Sequence, residues 1–410
     1  MSLKPLLLGS SVLFCACSAA STETYSVPEA GLDSGSAILI DANGADAPDG
    51  FVLCLVNGKP VEVGPNDDFD QDGFSTSDGD CNDCDPNTNP GAFDVEANNV
   101  DEDCNAVVDD ATECDETLGI SDNDPENGAR AIGICQKAVE SSAYKTNLRW
   151  GLLKANYQLV DGSSTMSYVQ HGILPNFGEA VHPQQGQRLL ALSSATARRP
   201  GDPAYQAPLD GLIGTSCATP DGWPKQSPSC PSPPASAPIA NDSAALALKI
   251  RVPTNAHGLS FRFRFFTTEF PSWICHQYND VFVSLLNTSA LPPDTNISFD
   301  SANNPISVNT VFLDTCTPRV DNGKDYPCSL GPSALSGNGF GPCDEEPLGY
   351  GATGWLQSSS PVSPGETIDL LFAIWDSGDK LMGSTVVIDD FRWQADPGTM
   401  PVTITVDNPK

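Results

Sequence analysis

Leu259-Ser260-Phe261-Arg262-Phe263-Arg264-Phe265-Phe266-Thr267 decides the fold class of this chain. Phenylalanine stands at every second position from 261 to 265 with arginine between, and an extended chain has a side-chain period of two. The stretch therefore predicts a strand with Phe261, Phe263 and Phe265 on a buried face and Arg262 and Arg264 on a wet one. Similar runs rich in β-branched or aromatic residues occur at Leu152 to Val160, Arg188 to Ser193, Ala245 to Val252, Asp280 to Leu286, Gly354 to Gln357, Thr367 to Trp375 and Thr385 to Trp393. Each is bounded by Gly, Pro, Asn or Ser, and no helical runs alternate with them. Short strands joined by long loops predict a mainly β fold, a jelly-roll-like β-sandwich over 150–400. The proline-rich stretch from Pro220 to Pro238 is a loop or insertion, because proline cannot donate to a strand ladder.

Upstream of the sandwich the chain changes character. In Asp124-Pro125-Glu126, Asp serves as N-cap and Pro as the first helical residue. Ala129, Ile132, Cys135 and Ala138 then continue an apolar stripe to about Val139, giving one short helix in a connector over 117–149. Residues 51–65 read as a β-hairpin, Phe51 to Val56 and Val61 to Val63, turned at Asn57-Gly58 in a type I′ turn. Residues 21–50 are small, acidic and broken by Gly and Pro, the composition of a flexible tether. Residues 1–20 carry one positive charge at Lys4, an apolar run from Leu6 to Phe14 and small residues from Ala16 to Ala20, the pattern of a secretory signal peptide. Within it Phe14-Cys15-Ala16-Cys17 resembles a bacterial lipobox with Cys17 as the acylated residue; the alternative is ordinary cleavage near Ala19 or Ala20.

Charge and cysteine usage agree with export. The 410 residues carry a formal net charge of -33, which repels nucleic acid and anionic membranes and attracts divalent metals and polycations. Membrane association is expected only through an N-terminal lipid. Of 14 cysteines, twelve remain once Cys15 and Cys17 are set aside, and an even number in an exported chain predicts disulfides. By proximity the expected pairs are Cys81 with Cys104, Cys84 with Cys114, Cys217 with Cys230 and Cys328 with Cys343. A zinc site on Cys81-x-x-Cys84 is the rival reading, set back by the oxidising compartment and the absence of a second close pair.

Residues 66–116 form an irregular Asp-rich segment, and from Asp67 to Glu126 there is no Lys or Arg. Asp68-Phe69-Asp70-Gln71-Asp72-Gly73-Phe74 offers carboxylates at positions one, three and five, a turn Gly at six and the Phe74 carbonyl at seven, which is how a loop wraps Ca2+. Asp78 and Asp80 flank the place of the closing acid, so the phrase is a calcium repeat without being an EF-hand. Asp80, Asn82, Asp83 and Asp85 continue the alternation, and Asp101, Asp103, Asn105, Val107, Asp109 and Asp110 repeat it without the Gly. The competing reading is a solvated acidic linker, which has no need of alternate spacing, a turn Gly or interleaved cysteines.

Two families come into view. Asp80-Cys81-Asn82-Asp83, Asp85-Pro86, Asn89-Pro90-Gly91-Ala92 and Asn99-Val100-Asp101-Glu102-Asp103-Cys104-Asn105 resemble the metal-binding repeat of the MopE type. That resemblance implies copper for some members. The residues instead favour calcium, since all four His lie outside the segment and oxygen-only donors suit a hard cation. Phe265-Phe266-Thr267-Thr268-Glu269-Phe270-Pro271, Tyr278-Asn279-Asp280-Val281-Phe282, Ile306-Ser307-Val308-Asn309, Phe372-Ala373-Ile374-Trp375-Asp376-Ser377-Gly378-Asp379 and Val387-Ile388-Asp389-Asp390-Phe391 resemble the choice-of-anchor L domain. The likeness is clear from about Asn241 to Gln394 and implies an exported bacterial β domain of cell-surface or secreted proteins with no established activity. Gly383 departs from it, standing near where members often carry an acid.

Catalytic signals are weak. Gly214-Thr215-Ser216-Cys217-Ala218-Thr219-Pro220 resembles the serine motif of subtilisin-type proteases, and His171 precedes it. Pro220 and Pro224 nevertheless break the helix that such a serine would open. His171, His182, His257 and His276 show no zinc-binding spacing. Glu269 and Asp280 would be the carboxylate pair of a polysaccharide hydrolase; they read equally as turn residues or as part of a second oxygen site with Asn279, Asp376, Asp379 and Asp389. Trp223, Trp273, Trp355 and Trp375 suit either a sugar groove or a core, with Trp355 and Trp375 expected in the core and Trp273 at the surface. The sequence thus leads to a non-enzymatic exported protein in which calcium-stabilised repeats present a sandwich to an extracellular polymer or cell surface. A copper-binding surface protein and a secreted polysaccharide hydrolase are the alternatives.

Overall fold

The computed structural model describes residues 52–406 except 111–112, 210–212, 231–237, 322, 342–348, 397 and 399. The signal segment, Cys17, the tether and Cys343 lie outside the described residues. Two antiparallel sheets make the sandwich. In the first, Thr367–Asp376 runs between Val281–Asn287 and Ile239–Arg251, with Gly151–Gln158 beyond the latter. In the second, Gly258–Thr267 pairs Ser384–Gln394 on one side and Leu356–Pro361 with Gly351–Thr353 on the other. Leu189–Ser193 and His171–Leu174 extend that sheet past Ser384–Gln394.

The alternation at 261–265 fixes the core as expected. Phe261, Phe263 and Phe265 are fully buried against Leu246, Leu248, Phe282, Phe372 and Ile374 of the facing sheet. Phe261 meets Phe372 edge-on at 4.8 Å between ring centroids. Each such side chain contributes about 1.5–3 kcal/mol when taken from water.

The other face of this strand differs from the expectation. Arg264 is buried, its Nε donating to the Thr353 carbonyl at 2.9 Å and its guanidinium lying over the Phe266 ring. Desolvation pushes it down to about 10. The cause is a second apolar layer in which Phe177, Phe266, Phe340 and Trp355 cover the outside of the sheet. Only Arg262 keeps partial exposure, and it pairs with Asp390 at 3.1 Å. The first sheet is covered likewise, by Trp223 packed edge-on against Trp375. Trp355 and Trp375 are core residues, as expected, whereas Trp273 is only half-buried against Tyr278.

Local signals held at the hairpin and at the helix start. Val52–Val56 pairs Lys59–Val63, and both turn residues have positive φ (Asn57 51°, Gly58 75°), the type I′ geometry. Asp124 caps the helix Pro125–Arg130 by accepting from the Glu126 N–H. The helix stops at Arg130 and does not continue to Val139. Gly133 turns left-handed (φ +101°), and Lys137 and Val139 bridge to Leu152 and Arg149 in extended form. The expected strand 354–357 is also broken, into Gly351–Thr353 and Leu356–Pro361.

Disulfides join Cys54 to Cys84, Cys81 to Cys104, Cys114 to Cys135 and Cys230 to Cys275. Cys81–Cys104 is the expected pair. The expected Cys84–Cys114, Cys217–Cys230 and Cys328–Cys343 are not formed, since Cys217 and Cys328 keep free thiols. Sequence proximity misled because the hairpin brings Cys54 onto the acidic segment and the end of the helix brings Cys135 back to Cys114. With Cys81 and Cys84 both in disulfides, the zinc reading is withdrawn.

Candidate metal centre

The Asp-rich segment coils between the hairpin and the sandwich, held by Cys54–Cys84 and Cys81–Cys104. In each of its key acids one carboxylate oxygen fastens the local loop. Asp68 Oδ2 accepts from Gly73 N–H at 3.1 Å, Asp70 Oδ1 from Asp72 N–H at 3.2 Å and Asp72 Oδ1 from Phe74 N–H at 2.8 Å. Asp80 Oδ1 accepts from Asn82 N–H at 2.7 Å and Asp83 Oδ1 from Phe69 N–H at 2.9 Å. Gly73, with φ +100°, takes the left-handed turn that the spacing predicts.

The second oxygens are what make a site. Asp70 Oδ2, Asp72 Oδ2, Asp80 Oδ2, Asn82 Oδ1 and Asp83 Oδ2 are buried and receive no donor. Asp83 is wholly inaccessible and Asp80 nearly so. Ligand atoms of Asp68, Asp70 and Asp72, and again of Asp70, Asp80 and Asp83, lie within 4.8 Å of one another. Burial, reinforced by neighbouring carboxylates, pushes Asp70 up to about 6 and Asp72 and Asp80 up to about 7, and raises Asp83. A cation bound among them would reverse that electrostatic cost. The donors are carboxylates and one amide, with no imidazole, and the nearby sulfurs are oxidised to disulfides. This set fits a hard, calcium-like ion and offers copper neither of the ligands it prefers.

A second group gathers Asp94, Asp101 and Asp103 within the same 4.8 Å. Burial and the charges of Asp94 and Asp110 push Asp103 up to about 6. Asp94 was not legible as a site residue, for it stands alone after Phe93, outside any alternating phrase. Its carboxylate nonetheless organises the loop, accepting from the N–H groups of Glu102, Asp103 and Asp110. Asn105 bonds Asp110 Oδ2 through Nδ2 and accepts from Val107 N–H through Oδ1.

Other expected ligands are engaged elsewhere. Asp78 forms an ion pair with Lys145 at 2.9 Å, and that hydrogen bond lowers its carboxyl. Asp85 caps a turn onto Asn87, and Asp109 accepts from Asn98 and Asn99 N–H. In the sandwich, Asp389 accepts from Gln184 and Gln185 N–H, whereas Glu269, Asp280 and Asp376 come together at one end. Asp379 adds its charge to those three while its Oδ1 accepts from Leu381 N–H.

The segment is docked on the sandwich. Asn255 both donates to the Phe93 carbonyl and accepts from its N–H, Thr254 donates to Asn89 and to the Gly91 carbonyl, and Trp150 Nε1 donates to the Ala92 carbonyl at 2.7 Å. Glu96 pairs with Arg392. Between the two parts lies an open cleft of about 980 Å³ lined by Phe93, Asp94, Arg149, Trp150, Arg392 and Trp393.

The catalytic decoys dissolve in the structure. Ser216 lies on the short strand Ser216–Ala218 and bonds Asn241, and residues 219–230 after it form turns in place of a helix. His171 is buried and stacked on Tyr157. Glu269 and Asp280 are 1% and 0% exposed, so no polysaccharide reaches them.

Residues 235–391 match the Choice-of-anchor L domain, a span that holds the central strands of both sheets and ends within Ser384–Gln394. No curated protein matches the chain. The matching family is not an enzymatic one, and its description points to an exported, surface-anchored protein. The Asp-rich segment lies outside the matched span. No helix among the described residues is long and apolar enough to cross a membrane.

Proposed function

We propose that this chain is a non-enzymatic, surface-presented binding protein whose Asp-rich segment is folded onto the sandwich by calcium. One observation carries the reading: five side-chain oxygens, on Asp70, Asp72, Asp80, Asn82 and Asp83, are buried together with no donor. The segment supplies no Lys or Arg of its own to meet them, so a divalent cation is the partner whose charge and coordination number suit the arrangement. Outside the cell such modules work with calcium affinities of about 10⁻⁴ to 10⁻³ M.

Calcium then acts on ligand binding by geometry. One wall of the cleft is the acidic segment, through Phe93 and Asp94; the other is the sandwich, through Trp150, Arg392 and Trp393. Aromatic faces beside guanidinium and carboxylate groups suit an extracellular polymer, sugar chains above all. Holding the segment down keeps both walls in register.

Calorimetric titration of the chelator-stripped protein with calcium, magnesium and copper separates the readings. Saturable calcium binding that raises the melting temperature, with copper giving no stoichiometric uptake, is the expected result. Stoichiometric copper binding with no response to calcium would move the protein to the copper-binding class.

A further inference from the structure

Two half-cystines of the acidic segment stand directly after acids of the two cation groups. Asp80 precedes Cys81 and Asp103 precedes Cys104, and these two cysteines form one disulfide. Asp80 belongs to the group Asp70, Asp80 and Asp83, and Asp103 to the group Asp94, Asp101 and Asp103; within each group the ligand atoms lie within 4.8 Å of one another. A single cross-link thus joins the loops that carry both groups. Asp80 and Asp83 are 3% and 0% exposed, and each keeps an oxygen with no donor.

Little apolar packing fixes the spacing of these loops. The buried cluster beside them holds Cys54, Val63 and Cys84, with Val52 and Phe69 packed on it, and so small a core leaves order to cross-links and bound ions. Cys104 itself sits at φ +57°, a left-handed conformation that a non-glycine residue keeps only when its surroundings impose it. Without the Cys81–Cys104 bond the chain between those residues regains freedom, and cation binding must order it again. Cys81 is exposed, whereas Cys54 and Cys84 are buried. Of the two disulfides that hold the segment, Cys81–Cys104 is therefore the one a reductant reaches.

We propose, resting on the calcium reading of the segment, that Cys81–Cys104 is a redox switch on calcium binding: its reduction by a dithiol releases the ion, and bound calcium holds it oxidised. A dithiol thiolate attacks the Cys81 sulfur, the sulfur–sulfur bond breaks and its electron pair goes to Cys104 Sγ; the second thiol of the reductant then displaces Cys81 from the mixed disulfide. Two electrons and two protons pass from the dithiol to the two cysteines, and the dithiol is left as a disulfide. The Cys81 N–H, 3.1 Å from Cys104 Sγ, is placed to hydrogen-bond the departing thiolate. The coupling is reciprocal: whatever factor reduction takes from calcium affinity, calcium takes from the equilibrium for reduction.

The test equilibrates the oxidised full chain in graded dithiothreitol buffers, with calcium and with chelator, then alkylates the thiols and maps them by peptide mass. Calcium should shift the Cys81–Cys104 equilibrium toward the disulfide by at least about tenfold, about 30 mV for two electrons. Cys230–Cys275, which has an exposed member in Cys275 but lies in the sandwich, should not move with calcium. By calorimetry, Cys81→Ser/Cys104→Ser should bind calcium at least about tenfold more weakly than the oxidised wild type; if that variant does not fold, the redox equilibrium of the wild type decides. A wild type that binds calcium but whose Cys81–Cys104 equilibrium is indifferent to it would overturn the switch and leave the calcium reading standing. An oxidised wild type that takes up no calcium would overturn both.

Discussion

Asp78 and Asp83 stand five residues apart in one acidic run, and their surroundings give them opposite roles. Asp83 is inaccessible, with one oxygen holding the Phe69 N–H and the other unpartnered. Asp78 sits at the surface in an ion pair with Lys145, an interaction worth at most about 1 kcal/mol. Asp83→Asn should therefore weaken calcium binding by at least the ~10–100-fold that loss of a supporting partner costs at metal sites, whereas Asp78→Asn should leave it unchanged. Calorimetric titration of both variants checks the contrast, and equal losses would mean that diffuse charge, not the buried oxygens, binds the ion. The alternate spacing made Asp68, Asp70, Asp72 and Asp80 legible as a group. It could not tell which acids a lysine 67 positions downstream of Asp78 would claim, nor that solitary Asp94 would anchor the second loop, because both depend on tertiary contacts.

At the scale of elements, the docking of the segment rests on a few polar clasps. Asn255 makes two of them to the Phe93 backbone across 162 residues of sequence. Asn255→Ala removes both and leaves a backbone donor and acceptor to find water, at about 1–3 kcal/mol for each buried group left unpaired. The expected outcome is a lower melting temperature in calcium, with faster amide exchange at 89–95 and unchanged exchange in the Phe261 to Phe265 strand. Equal loosening of that strand would mean that segment and sandwich unfold as one cooperative unit. Strands with clear alternation or apolar runs were found within a few residues of their predicted ends, since a period of two is a local property. The helix was overestimated because its apolar stripe passes straight through Gly133, and only the packing of Lys137 and Val139 against the next strand turns the chain. The burial of Arg264 was equally invisible, for it depends on distant loops carrying Phe177 and Phe340.

The whole molecule carries a formal charge of -33, and its response to pH should depend on calcium. Asp72 and Asp80 rise from 3.8 to about 7 in the folded state, so between those values the folded protein binds more protons than the unfolded chain. Their contribution to stability is complete below about pH 4 and is lost as pH rises through 7. In chelator the melting temperature should accordingly increase from pH 7 to pH 4.5. In saturating calcium the same carboxylates are held ionised by the ion, and this increase should vanish or reverse. Parallel pH profiles with and without calcium would contradict the assignment of these acids to a metal.

Hydrogen–deuterium exchange across residues 64–110 of the full chain, in calcium and then in chelator, tests the central claim most directly. If calcium folds the segment onto the sandwich, amides such as Phe69, Asn82 and Glu102 are protected in calcium and exchange rapidly in chelator, while the sandwich core around Phe263 and Phe372 stays protected in both. Protection of 64–110 that is equal with and without calcium would show that disulfides and protein contacts alone hold the segment, and the account of calcium as its organising partner would be wrong.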